Sequence, residues 1–246
     1  MKRLLFVYAH PDDESFTVGG TIAKYAEQGD VEIHLICATR GEAGKTGNPP
    51  QCSPEELPKV REQELKSAVA HLGLHHLHFL NYKDGTLSDV PVETLSQDIM
   101  AYLKQIAPQV VVTFAPHGIS GHKDHIAISQ ATYKAVTESN VFSVKKLYYV
   151  TIPASMGEKM GRKVYTDPDS SITTIIECEK YKPQVMKALL EHKTQNMSVD
   201  KAFPGVLAGD DSNVPGKNYF ILAWQRIIRP INKQEHDLFD GISSQV

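Results

Sequence analysis

The sequence is poor in cysteine, lacks long apolar runs and carries no excess of basic residues. Its three cysteines are odd in number, widely spaced and free of any Cys-x-x-Cys pair, which predicts a reducing compartment and no disulfide framework. No apolar stretch approaches the ~20 residues of a membrane-spanning helix. The formal net charge of −3 argues against a dedicated nucleic-acid surface. We therefore expect a cytoplasmic protein that has neither a membrane nor a nucleic acid as a partner.

Glycine-rich phosphate-binding motifs are also missing. Gly19-Gly20 come too late after the first apolar run for a Gly-x-Gly-x-x-Gly fingerprint, and acidic residues that would repel a pyrophosphate precede them. Residues 41–46 approach a Walker A motif, but Thr39 stands where the first glycine belongs. Pro49-Pro50 then follow where a phosphate-binding loop must open a helix. We expect no nucleotide site.

Strand and helix patterns alternate along most of the chain. Short apolar runs predict strands at residues 3–9, 31–38, 76–80, 110–114 and 146–152. Apolar residues at helical spacing predict helices at 19–28, 59–72, 92–106 and 127–138. This alternation predicts an α/β fold of Rossmann-like topology, with a mostly parallel sheet and helices on both faces.

The last third of the chain is less regular. It predicts strands at 173–178 and 219–228 and a helix at 183–192. The loops at 153–171 and 197–217 are long enough to form walls or lids of a site. In the absence of repeats or low-complexity tracts, we expect one domain over residues 1–246.

Imidazole and carboxylate side chains crowd the ends of two predicted strands. His10-Pro11-Asp12-Asp13 follows the first strand, and residues 117–125 (HGISGHKDH) follow the strand at 110–114. In open α/β sheets, ligands bind beyond the carboxyl ends of the strands. Such side chains are costly to desolvate without a cationic partner. His10, Asp13 and His125 therefore predict a two-histidine, one-carboxylate metal site with open positions for water and substrate.

Four further histidines lie close together in the sequence: His71, His75, His76 and His78. Strand alternation sends His76 and His78 to one face of their strand. Because no carboxylate or cysteine completes a ligand set, we interpret the group as a partly exposed helix end and strand.

The two acid-histidine segments resemble the signature segments of the LmbE-like (PIG-L-type) deacetylase family. The first segment is residues 9–14 (AHPDDE) with Gly19-Gly20-Thr21, and the second is residues 121–125 (GHKDH). Weaker matches follow in the family's order at residues 41–44, 61–65, 83–84 and 192–195. The resemblance implies a Rossmann-like α/β sandwich and a zinc-dependent hydrolase that removes the N-acetyl group from a glucosamine moiety. It points to the bacterial small-molecule branches, such as those of bacillithiol and mycothiol synthesis.

The resemblance also implies roles for the residues of the two segments. His10, Asp13 and His125 would bind Zn²⁺, with Fe²⁺ or another divalent metal as alternatives. Asp12 would be the general base that activates water. His122 would act as the acid or stabilise the oxyanion.

Further roles are implied outside the metal ligands. Asp124 would orient an imidazole, although a helix N-cap is an alternative for this residue. Arg61 and Asp84 fall where relatives contact the sugar. Ser120 occupies the position at which some relatives carry an oxyanion-stabilising tyrosine. The expected substrate is a small glycoside or amino sugar, and the sequence is compatible with a homo-oligomer.

Other functions use similar residues. A metal-dependent amidase acting on a thiol conjugate is an alternative within the family. Non-haem Fe(II) oxygenases use the same ligand set but usually present it from a β-sandwich barrel, and they give Asp12 no role. A metallophosphoesterase often holds two metals with more carboxylates. A binding protein with a vestigial site would not need an uncoordinated Asp12.

Overall fold

The computed structural model describes residues 1–157, 163–226 and 234–242, and within them seven strands form one sheet. The strands are β1 (Lys2–Tyr8), β2 (Val31–Cys37), β3 (His76–Phe79), β4 (Val110–Phe114), β5 (Lys146–Thr151), β6 (Thr174–Glu177) and β7 (Lys217–Gln225). Their order in the sheet is β3-β2-β1-β4-β5-β7-β6. Strands β1 to β5 pair in parallel, and β7 pairs antiparallel with both β5 and β6. The sheet is mostly parallel, as predicted.

Eight helices connect the strands in the described part of the chain. They are α1 (Asp13–Thr17), α2 (Gly19–Gln28), α3 (Leu57–Leu72), α4 (Val92–Ile106), α5 (Lys123–Glu138), α6 (Ala154–Gly157), α7 (Lys182–Glu191) and α8 (Asn196–Ala202). Helix α2 packs with α3 and α7, and α4 packs with α5. The chain moves from β1 to β2 in one direction across the sheet and from β4 to β5 in the other. Because such connections between parallel strands are right-handed, the helices of the two connections cover opposite faces of the sheet.

The strand order reverses at β1, and this reversal positions the site. The chain moves outward from β1 through β2 to β3, and then returns to β4 on the other side of β1. The connections after β1 and after β4 therefore diverge to opposite faces and leave a crevice at the carboxyl ends of these two neighbouring strands. Both acid-histidine segments of the sequence open into this crevice.

The central strand is a rigid base for that crevice. Residues Leu4 to Val7 of β1 are fully buried because helices cover both faces of the sheet. Cys37 and Cys178 are buried free thiols, and Cys52 is a partly exposed one. No helix in the described residues is both long and apolar enough to cross a membrane.

The structure differs from the sequence-based prediction mainly at element ends. Helix α5 begins at Lys123, four residues before the predicted start at 127, because the polar residues of its first turn interrupt the apolar spacing. The short helices α1, α6 and α8 have too few residues for a periodic pattern. The predicted strand at 219–228 corresponds to β7, which ends at Gln225, and residues 227–228 lie outside the described ranges.

Candidate active site

The turn after β1 places the Asp13 carboxylate against the backbone at the end of that strand. Asp13 Oδ2 accepts hydrogen bonds from the backbone N–H groups of Ala9 at 3.1 Å and His10 at 2.8 Å. These bonds close the turn between β1 and α1. The Asp13 carboxylate and the His10 imidazole are thereby held at the carboxyl end of the central strand.

The loop after β4 holds His125 from the other side. The imidazole of His125 stacks on the Phe114 ring, with ring centroids 4.2 Å apart and an interplanar angle of 5°. Its Nδ1 lies 3.0 Å from the carbonyl oxygen of Gly118. Gly118 has a φ of 67°, and a Cβ atom there would lie 2.7 Å from His125 Cβ. A glycine at this position therefore permits the close approach.

Three ligand-type groups converge between the two loops. His10 Nδ1 lies 3.1 Å from His125 Nε2, and His125 Nε2 lies 3.2 Å from Asp13 Oδ1. His10 Nδ1 is 3.8 Å from Asp13 Oδ2. Ligand atoms that each stand about 2.0–2.2 Å from one tetrahedral ion are roughly 3.3 Å from one another. The spacing of His10, Asp13 and His125 fits a single divalent metal ion.

The far nitrogens of the two imidazoles indicate which protons they carry. His10 Nε2 lies 2.8 Å from Asp84 Oδ1 and 3.2 Å from Asp124 Oδ2, and a carboxylate can only accept a hydrogen bond from it. His125 Nδ1 likewise faces the Gly118 carbonyl oxygen. In the neutral imidazoles, lone pairs therefore point at one another across 3.1 Å beside the Asp13 carboxylate. Such an arrangement needs a cation between its members.

In the absence of a metal, a proton can supply that cation. Burial lowers the pKa of His10, but hydrogen bonds to Asp124 and Asp84 outweigh burial and raise the pKa to about 10. Burial also opposes ionisation of Asp13, while the neighbouring His125 and His10 lower the pKa of Asp13 to about 2. A metal ion at this site has to displace a proton from His10, so its affinity falls as the pH falls.

Asp12 lies beside these groups without joining them. Its backbone adopts a φ of 130°, which is rare for a residue with a side chain. Its Oδ2 lies 3.2 Å from Arg61 Nη2. Burial raises the pKa of Asp12 to about 6, although the Arg61 guanidinium opposes the rise. Two adjacent carboxyls, Asp12 and Asp13, thus have pKa values on opposite sides of the ordinary value, as expected for an acid-base group next to a ligand.

Arg61 supports the turn that carries Asp12. Its side chain is buried, and it donates hydrogen bonds to the carbonyl oxygens of Pro11 and Gly41. Gly41 has a φ of 70°, and a Cβ atom there would lie 2.1 Å from Arg61 Nη1. This close approach explains a glycine at position 41. The assignment of Arg61 to substrate contact stays a prediction.

Asp84 and Asp124 lie behind His10. Asp84 Oδ2 accepts a hydrogen bond from the Ala43 N–H, while Asp84 Oδ1 faces His10. Asp124 is fully buried and accepts hydrogen bonds from the backbone N–H groups of Gly85 and Leu87 as well as contacting His10. Both carboxylates therefore contact the same nitrogen of His10, while the orienting role of Asp124 and the substrate contact of Asp84 stay predictions.

The N-cap interpretation of Asp124 is wrong. Helix α5 begins at Lys123, so His122 is the cap residue, and its Nδ1 accepts a hydrogen bond from the Asp124 N–H at 3.1 Å. Because Nδ1 is the acceptor, neutral His122 carries its proton on Nε2 and is a hydrogen-bond donor there. Burial, His10 and His125 together lower the pKa of His122. Its ring lies edge-on to His10, with the centroids 4.8 Å apart.

Ser120 lies in the loop between β4 and α5. Its Oγ accepts a hydrogen bond from the His122 N–H at 3.3 Å and lies 3.3 Å from His125 Nδ1. The serine hydroxyl therefore supports the loop that carries the two histidines.

Two buried polar pairs behind the site were not assigned from the sequence. Glu14 Oε1 lies 3.1 Å from His192 Nε2. Glu64 accepts hydrogen bonds from the Thr194 N–H at 2.8 Å and from Thr194 Oγ at 2.6 Å. These pairs connect α1 and α3 to the chain after α7. The sequence did contain a signal for these pairs, because all four residues fall in the segments that resemble the family.

A cavity of about 620 Å³ opens beside the metal-type cluster. Asp12, Asp13 and His125 line its floor. Its walls are largely apolar and include Phe16, Ile119, Ile152, Met156, Phe203, Val214 and Tyr219. Both long loops predicted as site walls, residues 153–171 and 197–217, contribute to the lining. The volume falls within the range of small-molecule sites.

The chain is similar in sequence to two curated deacetylases. A 1D-myo-inositol 2-acetamido-2-deoxy-alpha-D-glucopyranoside deacetylase of Rhodococcus jostii (strain RHA1) is 30% identical, over 98% of this chain and 98% of its own. A probable N-acetyl-alpha-D-glucosaminyl L-malate deacetylase 2 of Bacillus anthracis is 31% identical, over 79% of this chain and 81% of its own.

The fold also resembles a solved structure, the N,N'-diacetylchitobiose deacetylase of Pyrococcus horikoshii. The TM-score is 0.68 at 22% identity, over 89% of this chain and 82% of that one, and at this identity the likeness concerns the fold alone. The model of the PIG-L family, described as GlcNAc-PI de-N-acetylase, matches residues 5–136, which is more than half of the chain. The chain belongs to the PIG-L family.

Proposed function

We propose that this protein is a metal-dependent hydrolase that removes the N-acetyl group from an N-acetylglucosamine-containing small molecule, with Zn²⁺ as its metal. The observation that carries the proposal is the convergence of His10 Nδ1, His125 Nε2 and the Asp13 carboxylate, with distances of 3.1 Å, 3.2 Å and 3.8 Å between them. The family membership and the names of the curated relatives support the reaction.

His10, Asp13 and His125 would hold the metal. A bound divalent ion supplies Lewis acidity, which lowers the pKa of a water molecule and polarises an amide carbonyl. The carboxylates of Asp84 and Asp124 face His10 Nε2 and hold the proton there, so Nδ1 is the nitrogen that would bind the metal once its own proton is displaced.

Asp12 would be the general base. Its carboxylate lies next to the ligand Asp13 but would not bind the metal. Asp12 Oδ2 pairs with Arg61, and the carboxylate would take a proton from the attacking water. A pKa of about 6 allows Asp12 to be ionised near neutral pH and still to hold a captured proton. General acid-base catalysis of this kind contributes about 10²–10⁴-fold to the rate.

His122 would stabilise the oxyanion through its Nε2–H. Its Nδ1 is fixed as an acceptor by the Asp124 N–H, so the remaining proton points away from the helix start. Protonation of the departing amine would come from Asp12 carrying its captured proton, or from His122. Both groups lie beside the metal ligands.

The alternative functions have less support. The non-haem Fe(II) oxygenase is expected on a β-sandwich barrel, whereas this chain has a mostly parallel α/β sheet. That function also leaves Asp12 without a role. The family membership and the relatives' names give no support to an amidase acting on a thiol conjugate.

An amine-release screen tests the proposal. Chelator-stripped protein, with and without added Zn²⁺, is incubated with N-acetylglucosaminyl malate, N-acetylglucosaminyl inositol and N,N'-diacetylchitobiose, with free N-acetylglucosamine for comparison. We expect zinc-dependent amine release from at least one conjugate and much less from the free sugar. Absence of release from every conjugate in the zinc-loaded protein would contradict the proposal.

A further inference from the structure

A second group of metal-type side chains lies on the edge of the sheet, where β2 pairs with β3. Glu32 and His34 belong to β2, and His76 and His78 belong to β3. His34 is the register partner of His76, so the side chains of these strands share one face. The structure thus corrects the sequence interpretation, because a carboxylate from the neighbouring strand completes the histidine set.

The ligand atoms of Glu32, His34 and His76 are close enough to share one ion. They all lie within 4.8 Å of one another. His76 Nε2 is 3.0 Å from Glu32 Oε1, and His34 Nε2 is 3.9 Å from Glu32 Oε2. The rings of His34 and His76 stack with their centroids 4.5 Å apart. Small side-chain rotations would bring these atoms to the roughly 3.3 Å spacing of a tetrahedral site.

His34 carries an unsatisfied nitrogen. The residue is 7% exposed, and its Nε2 is buried without a hydrogen-bond partner. A buried polar atom without a partner costs about 1–3 kcal/mol unless another group satisfies it. A metal ion bound to Nε2 would remove that cost.

His78 and Arg3 contact two of these side chains, His34 and Glu32. His34 Nδ1 lies 3.3 Å from His78 Nε2, so His34 Nδ1–H can donate a hydrogen bond to His78 Nε2. In that tautomer, His34 Nε2 carries a lone pair that can bind a metal ion. Arg3 Nε pairs with Glu32 Oε2 at 2.9 Å and keeps the carboxylate ionised, while Oε1 faces His76.

The position of this group separates it from the active site. Glu32 and His34 lie in the first half of β2, whereas the active site follows the carboxyl ends of β1 and β4. Glu32 is five residue steps and His34 three residue steps from Cys37 at the end of β2, or ~16 Å and ~10 Å at about 3.3 Å per residue. The His76 side chain is 47% exposed, so an ion can enter from solvent.

We propose that Glu32, His34 and His76 form a second metal site, which binds a divalent transition-metal ion such as Zn²⁺, Co²⁺ or Ni²⁺ with water at the open position. Two imidazoles and one carboxylate suit these ions better than Mg²⁺ or Ca²⁺. Because the ligands come from two strands, the ion fastens the edge strand β3 onto β2. Binding to the folded protein alone raises the melting temperature.

Metal stoichiometry tests the second site. Chelator-stripped full-length protein is dialysed against low-micromolar Zn²⁺, and the zinc content is measured by mass spectrometry. We expect two ions per chain for the wild type and one for His76→Ala. The matched control is His71→Ala, an exposed histidine on α3 that pairs with Glu191, and it should retain two ions. Equal zinc content in the wild type and in His76→Ala would overturn the proposal.

Two further variants keep the sites distinguishable. Asp13→Asn should lose the active-site ion and retain the second, and Asp13→Asn combined with His76→Ala should bind none. Glu32→Gln keeps the shape of the side chain and should weaken the second site without loss of secondary structure by circular dichroism. If the double variant still binds one ion, Glu32, His34 and His76 are not the second site. The melting temperature of Asp13→Asn should rise with added Zn²⁺, and that of the double variant should not.

Discussion

Two regions of this protein gather histidines and carboxylates, and they differ in what surrounds the ligands. In the crevice after β1 and β4, the imidazoles are backed by buried carboxylates, and Asp12 stays outside the ligand set with a raised pKa. On the β2–β3 edge, the only described carboxylate within the group, Glu32, is itself a ligand and is already paired with Arg3. A metal site becomes catalytic when a group that is not a ligand can move a proton beside it. At the edge, the described groups beside the ligands are His78, which faces His34, and Arg3, which pairs with Glu32, and we assign this site to stabilisation of the sheet edge.

The largest expected effect comes from removing a ligand in the crevice. His125→Ala deletes one of the facing imidazoles, so we expect loss of the active-site ion and of nearly all turnover. Zinc content after dialysis and amine release measure the two consequences. The matched control is His117→Ala in the same loop, whose imidazole pairs with Asp167 instead of the ligands. Unchanged zinc content in His125→Ala would show that His125 is not a ligand of the active-site ion.

The next effect separates base from ligand. Asp12→Asn keeps the shape of the side chain but cannot accept a proton, so kcat should fall by about 10²–10⁴-fold. The active-site ion should remain, because Asp12 is not among the converging atoms. Steady-state kinetics and zinc analysis on the same sample give both values. Loss of the ion from Asp12→Asn would mean that base and ligand have been exchanged.

A smaller effect decides the role of Asp84. If its carboxylate orients His10, Asp84→Asn should weaken metal affinity by about 10–100-fold and leave the KM of the zinc-saturated enzyme unchanged. Competition with a chromogenic chelator measures the affinity. Asp89→Asn, an exposed aspartate in the same loop, is the control. An increase in KM at full zinc occupancy would instead support the sugar contact that the family resemblance implies.

The smallest effect concerns the edge of the sheet. His76→Ala should leave kcat/KM within about twofold of the wild type, because Glu32 and His34 lie ~16 Å and ~10 Å before the carboxyl end of β2, and the crevice lies beyond the ends of the neighbouring strands. It should nevertheless abolish the zinc-induced rise in melting temperature of a protein whose active-site ligand Asp13 is replaced. A large loss of activity in folded His76→Ala would show that the two regions are not independent.

The sequence predicted the crevice because its residues follow strand ends. His10 to Asp13 and His117 to His125 each come directly after an apolar run, and parallel topology brings the carboxyl ends of such strands together. The pattern therefore carried the location at which the histidines and carboxylates converge. The start of α5 was misplaced because a cap made by a histidine side chain is not a recognised sequence signal.

The edge group could not be predicted in the same way. His76 and His78 are visible as an alternating pair, but Glu32 and His34 lie about forty residues earlier in the sequence and meet them only through strand register. Register depends on side-chain packing across the whole sheet, which local patterns do not contain. The role of Asp84 behind His10 likewise depends on a loop conformation that its sequence neighbours do not specify.

The most direct measurement is anomalous X-ray scattering from crystals grown with Zn²⁺, recorded on both sides of the zinc absorption edge. We predict an anomalous peak about 2.0–2.2 Å from His10 Nδ1, His125 Nε2 and an Asp13 carboxylate oxygen, with Asp12 outside the coordination sphere. A crevice without a peak, or a peak coordinated by Asp12 in place of Asp13, would contradict it.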